Sequence, residues 1–435
     1  MTNIWRRRTW VLVVVFLLLL PLKVGAEMKE SLEDEMVYSI VVDRFYNGDP
    51  HNDTKVNIHD AQAYQGGDIK GIIKRLDYIK EMGFTAIMVT PLVDSKSYDG
   101  YEPTGEAKIN PHFGAMGDVV TLVKEAHKRD MKVIVEWIMQ EEEAMIDYAA
   151  SFVTETNMDG FYIRNTKDTN REEVHRMMER IQGEKKDFLF LGEGNFQHEY
   201  HEQMKNVLTK TNVSVKSLYD VTDRNLEQVQ AVFLDNNETK RFARVAKENK
   251  HYPPTRLKLA LTYLYTTPHI PVVYYGTEIA LDGGEIPDNR RLMDFKTDKD
   301  FLHYVTTLGE IRNSRPSLRR GEMELLHDQN GMSVIKRSYE GETSLVVINN
   351  TTETQKITLS SEELDGKQEL RGLLEEGIVR ETDGKYHLVL ERETANIYAV
   401  GEKTGLNWWF IVAIVSVNVA FIAFLIAVKK RKKSS

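Results

Sequence analysis

An α/β fold is predicted by this sequence: a (β/α)8 barrel followed by a small antiparallel β domain. Three observations carry that expectation. Short apolar runs bounded by turn residues recur through the first two thirds of the chain. Amphipathic stretches of helical period lie between most of them. From about Gly321 the texture changes to short alternating strands separated by turns. Buried strands alternating with helices indicate a parallel barrel, and strands without helices indicate an antiparallel sandwich.

The barrel strands are read at 37–42 (VYSIVV), 86–92 (AIMVTPL), 132–138 (KVIVEWI), 160–165 (GFYIRN), 188–194 (FLFLGEG), 217–222 (SLYDVT), 231–236 (AVFLDN) and 270–278 (IPVVYYGTE). The helices between them include IKGIIKRLDYIKEMG and VVTLVKEAHKRD. The sixth unit is the shortest, because Thr222 lies close to Ala231 in sequence. The β domain is read from MSVIKRSYEG, TSLVVINNTT, QKITLS, KYHLVLE and ANIYAV. The expected boundaries are 27–320 for the barrel, 321–400 for the β-sandwich domain and 401–407 for a linker.

A chain of 435 residues is long enough for two or three domains with full cores. Its net charge of -9 argues against a nucleic-acid partner. It has no cysteine, which excludes disulfides and thiolate metal sites. Both ends read as membrane signals. Arg6–Arg8, an apolar run from Trp10 to Leu22 and a small-residue stretch to Ala26 suit a signal peptide at 1–26, the rival reading being an uncleaved anchor. Trp408 to Val428 carries no charge, and about 20 such residues span a bilayer. Trp408 and Trp409 suit the outer interface, and the basic tail 429–435 suits the cytoplasm. The expectation is a single-pass cell-membrane protein with its ectodomain outside. A buried core helix is the rival reading of the same run.

Several motifs in fixed order carry a resemblance: YSIVVDRFYNGDPHND, GGDIKGIIKRLDYIKEMGFTAIMVTPL, INPHFG, FLFLGEG, VFLDNNETKRF, and PVVYYGTE followed by GGEIPDNRR. Over residues 36–400 the chain resembles the α-amylase family (glycoside hydrolase family 13), in the style of neopullulanases and cyclomaltodextrinases. The resemblance implies retaining cleavage of α-glucosidic bonds by a carboxylate nucleophile, a carboxylic acid and a third carboxylate. Carried onto this chain, it places the acid at Glu193 and the third carboxylate at Glu238, one methylene longer than the family's aspartate. The nucleophile position holds Arg164, and the arginine two residues before it has become Tyr162. Substrate-binding positions fall on Tyr98, Tyr101 and Arg290. The third-strand motif reads Glu136, Gln140, Glu141, and the long third loop is missing.

A protonated guanidinium has no lone pair for an anomeric carbon, so a catalytically inactive barrel is expected. Convergence of Glu136, Glu193 and Glu238 at the mouth would place Arg164 in an ion pair with at least one of them. The resemblance also implies a structural calcium site at Asn47, Asp49, Asn52, Asp53, the Gly66 carbonyl and Asp68, whose oxygen donors suit that ion; an ordinary Asx-rich turn is the alternative. Three functions follow. The first is a membrane-anchored scaffold or a partner of another membrane protein, as in the family's amino-acid transporter heavy chains. The second is a residual α-glucan or maltooligosaccharide hydrolase. The third is a surface glucan-binding protein.

Overall fold

The computed structural model describes residues 31–139, 143–164, 171–192, 194–224, 229–296, 298–364, 366, 369–402 and 408–432. The expected signal peptide, residues 403–407 of the expected linker, Gln140, Glu141 and Glu193 lie outside the described residues.

A near-closed barrel of seven parallel strands forms the main body. They are β1 (Val37–Ile40), β2 (Ala86–Val89), β3 (Lys132–Trp137), β4 (Gly160–Ile163), β5 (Leu189–Gly192), β6 (Ala231–Phe233) and β7 (Ile270–Tyr274). Their order is β5-β4-β3-β2-β1-β7-β6. The strands are mostly apolar on both faces because helices cover the outside and side chains fill the inside. Val37, Ala86, Met88, Ile134, Tyr162 and Phe233 pack within the barrel. Their neighbours Tyr38, Ile87, Val133, Val135, Phe161 and Val232 pack outward under the helices. Trp137 also belongs to this outer layer, stacked on Phe161 with ring centroids 4.6 Å apart. This two-residue period sends Glu136 and Arg164 into the barrel.

The expected sixth strand is a correction. Residues Lys216–Asp223 form a helix. Leu218, Val221 and Thr222 are its buried residues, a spacing of three to four that belongs to a helix and not to a strand. The Thr222 hydroxyl donates to the Leu218 carbonyl at 2.9 Å. Among the described residues β5 and β6 are therefore the two ends of the sheet.

The C-terminal domain holds a six-stranded antiparallel sheet that includes Met332–Tyr339, Glu342–Asn349 and Thr394–Gly401, and a two-stranded sheet of Gln355–Ser360 with Lys385–Leu390. Val334, Leu345, Val347, Ile357, Leu388 and Tyr398 fill the space between the two sheets. The other face of the larger sheet turns Ile335, Val346, Ile348 and Ile397 to the barrel's outer core. Buried arginines brace the barrel side of that junction, and Arg256 also crosses it to Glu393 at 3.2 Å. Arg312 donates to the carbonyls of Tyr265 (2.8 Å) and Thr267 (3.0 Å), and Arg256 donates to the Leu208 carbonyl at 2.8 Å. Such contacts satisfy helix C-terminal carbonyls that otherwise lack partners.

Trp408–Lys432 is a helix of 25 residues. Its side chains are described for 412–426, all of them exposed, a stretch shorter than a span. Among the described residues no helix is long and apolar enough to cross a membrane.

Candidate active site at the barrel mouth

Functional groups of such barrels gather at the C-terminal ends of the strands. Here β3 delivers Glu136, β4 runs directly into Arg164, and the loop after β6 delivers Asn237 and Glu238. Arg164 is 5% exposed and Glu136 2%. One guanidinium nitrogen lies 3.1 Å from Glu136 Oε2, and the other is ion-paired with Glu238. The first nitrogen also donates to Asn237 Oδ1 at 3.0 Å and to the Tyr101 hydroxyl at 2.9 Å.

Tyr101 donates from its hydroxyl to Glu136 Oε2 at 2.5 Å and accepts from the Asn237 amide. Burial, foremost, and then the Glu136 carboxylate hold this phenol well above its usual range, against the pull of Arg164. It therefore stays protonated and remains a donor. The Arg164 guanidinium also sits over the Tyr101 ring, 4.6 Å from its centre, a cation–π contact. The cavity beneath the cluster, lined by Ser39, Met88, Tyr162, Phe233 and Asp235 among others, has a volume of about 10 Å³. That is the size of one water site and far below a sugar ring.

The expected substrate-binding residues are engaged with the protein itself. Arg290 is ion-paired with Asp99, donates to the Asn237 carbonyl at 2.7 Å and reaches the Tyr98 hydroxyl at 3.2 Å. Tyr98 is buried, with the Arg44 guanidinium 3.8 Å from its ring centre. Asn237 and Asp99 are the residues that sequence reasoning passed over. Asn237 ties Arg164, Tyr101 and Arg290 together, and Asp99 neutralises Arg290.

The residues expected to hold calcium divide into two sets. Asp68 caps the helix Ile69–Glu81, its oxygens accepting from the backbone of Gly48 (3.0 Å), Asp49 (2.7 Å) and Gly71 (2.6 Å). Asp49 accepts from Lys70 at 2.6 Å and from His51 at 2.8 Å. The Asn47 amide meets Asp53 at 2.8 and 3.0 Å. Gly66 lies against that pair with φ +94°, and a Cβ there would stand 2.8 Å from Asn47 and 3.0 Å from Asp53. Asn52 Oδ1 is buried without a hydrogen-bond partner. Asn47, Asn52, Asp53 and the Gly66 carbonyl thus offer the oxygen chemistry that suits calcium. Among the described residues there is no group of three or more His, Cys, Asp or Glu side chains able to hold a metal.

Comparison with known proteins decides the family. The description "Alpha amylase, catalytic domain" matches residues 39–227 and 187–319, and "Alpha-amylase C-terminal domain" matches 321–398. The chain belongs to the α-amylase family. An α-amylase from Anoxybacillus of solved structure is 40% identical, with a TM-score of 0.83 over 87% of this chain and 100% of that one. The α-amylase of Geobacillus thermoleovorans, solved with acarbose, is 36% identical, with a TM-score of 0.81 over 86% of this chain and 100% of that one. A cyclomaltodextrinase from Thermoanaerobacter pseudethanolicus is 24% identical over 78% of this chain and 74% of its own length. A beta/alpha-amylase from Paenibacillus polymyxa is 27% identical over 84% of this chain, which spans 38% of that longer protein. At the centre of this mouth stands the Arg164 guanidinium, paired with Glu136 and Glu238.

Proposed function

We propose that this α-amylase-family chain is catalytically silent, anchored in the cell membrane by its C-terminal helix, and acts outside the cell as a scaffold or partner protein. One observation carries the reading: Arg164, at the end of β4, is buried and bonded to Glu136, Glu238, Asn237 and Tyr101. The nucleophile's position holds a group that cannot attack carbon; the cavity beneath it takes one water, and the larger one that Glu238, Asn236 and His201 line, about 110 Å³, lies outside the Arg164–Glu136 pair. The uncharged run 408–428 and the exposed side chains of 412–426 support the anchor. Calcium, held by Asn47, Asn52, Asp53 and the Gly66 carbonyl, would brace the first loop and take no part in chemistry. The competing reading, a residual α-glucan hydrolase, is favoured by the 40% identity to an α-amylase.

Release of reducing ends from maltooligosaccharides by the purified full chain tests the proposal, with Glu193→Gln as the control at the sequence-implied acid position. The expected result is equal background from both proteins. Product that disappears with Glu193→Gln establishes turnover and ends the proposal.

A further inference from the structure

The C-terminal helix carries one strongly polar side chain where a membrane anchor tolerates it least. Asn418 stands at the midpoint of the uncharged run 408–428, so in a bilayer its amide sits near the midplane. There an unmet donor or acceptor has no water to turn to. The Asn418 amide nitrogen donates to the Ile414 carbonyl of its own helix at 2.7 Å. A primary amide has two donor protons and an acceptor oxygen, so that bond leaves one proton and the oxygen to be satisfied.

Its neighbours show on which face this happens. Ile414, Asn418, Phe421 and Leu425 recur at steps of four, three and four, the period of about 3.5 residues that makes one seam of a two-stranded coiled coil. Ile414, Phe421 and Leu425 are 48%, 60% and 49% exposed, an apolar seam with a single asparagine inside it. In such seams a lone asparagine fixes register and partner number, because its amide finds the same amide opposite.

We propose that this seam pairs with a second copy of the chain, the two Asn418 amides exchanging N–H···O bonds across a parallel dimer. The inference rests on the membrane-anchored reading. The choice of a second copy follows from the amide's chemistry. It is both donor and acceptor, hence self-complementary, and two copies inserted in one orientation place it at one depth. The opposite face carries Ala413, Ser416, Ala420 and Ala423; small residues also support close helix approach, and that face is the competing interface.

The natural chain has no cysteine, which makes single-cysteine crosslinking decisive. The full chain is reconstituted in phosphatidylethanolamine–phosphatidylglycerol vesicles with Ile414→Cys or Leu425→Cys on the seam, or Ala420→Cys or Ala423→Cys on the other face. Dimer fraction after mild oxidation is read against the protein-to-lipid ratio. Seam positions are expected to crosslink and the others not. Adding Asn418→Val should weaken dimerisation about 3- to 30-fold, and Asn418→Gln should retain it. Crosslinking at Ala420 and Ala423 alone, no crosslinking at any position, or no response to Asn418→Val overturns the proposal. Complexes containing a different membrane protein in place of the second copy overturn it too. Alkaline carbonate extraction of the same samples reads membrane insertion separately: a chain washed from the vesicles refutes the anchor, whereas an inserted monomer refutes only the dimer.

Discussion

Replacing Arg164 by leucine tests the plugged mouth through stability. In the variant Glu136, 2% exposed, loses its cation, and a cavity of about 10 Å³ admits too little water to replace it. Removing one partner of a buried ion pair costs about 3–5 kcal/mol, because the remaining charge stays buried and unpaired. The pair with Glu238 adds little, since that side chain is 51% exposed and screened by solvent. Replacing both members by apolar groups removes the stranded charge, and such replacements are often neutral. Arg164→Leu should therefore lower the unfolding free energy by about 3–5 kcal/mol. Arg164→Leu/Glu136→Leu should recover most of it, with a coupling of at least about 2 kcal/mol. Urea denaturation followed by circular dichroism measures all three proteins. A single variant costing less than about 1 kcal/mol, or two costs that simply add, refutes a buried pair and implies an open, hydrated mouth.

Burial holds the His201 and His269 imidazoles down at about 3 and about 4, below the unfolded value of about 6.5. Since the unfolded chain takes up the protons first, stability should be full above about pH 6.5 and fall as the pH drops. Each histidine should lose about 2 kcal/mol by pH 5. Melting temperatures across that window check this, and a flat profile counts against it. Asp43 opposes the trend: burial raises it to about 6, so its contribution is full below about pH 3.8 and lost as the pH rises through 6. A chelator should lower the melting temperature of the full chain, and Asp53→Ala/Asn52→Ala should remove that sensitivity; an unresponsive wild type argues for a plain Asx-rich turn. Protease added to intact cells should remove residues 27–400 and spare the tail, whereas a protected barrel contradicts the proposed orientation.

The barrel was readable where burial on both faces makes strands continuously apolar, as in VYSI, AIMV and IPVVY. It was misread at 217–222, where a short apolar run fits a strand or one buried helix turn equally well. The mouth was readable as a list of altered positions but not as a network. Arg290 meets Asp99, and Arg164 meets Tyr101 and Asn237, across long sequence separations. No local pattern reports such pairings. The loop expected to hold calcium shows a similar limit. Its oxygen donors are plain in NGDPHND, but the diversion of Asp68 to a helix N-terminus and of Asp49 to Lys70 depends on where the helix Ile69–Glu81 lies.

Calorimetric titration of maltotetraose into the purified full chain tests the central claim most directly, because one cell reads both binding and turnover. If Arg164 fills the nucleophile's position as proposed, the trace should match buffer, with neither saturable heat nor sustained heat flow. Sustained heat flow accompanied by shorter sugars would show hydrolysis and contradict the silent barrel. Saturable heat without products would show a glucan-binding protein and contradict the closed mouth.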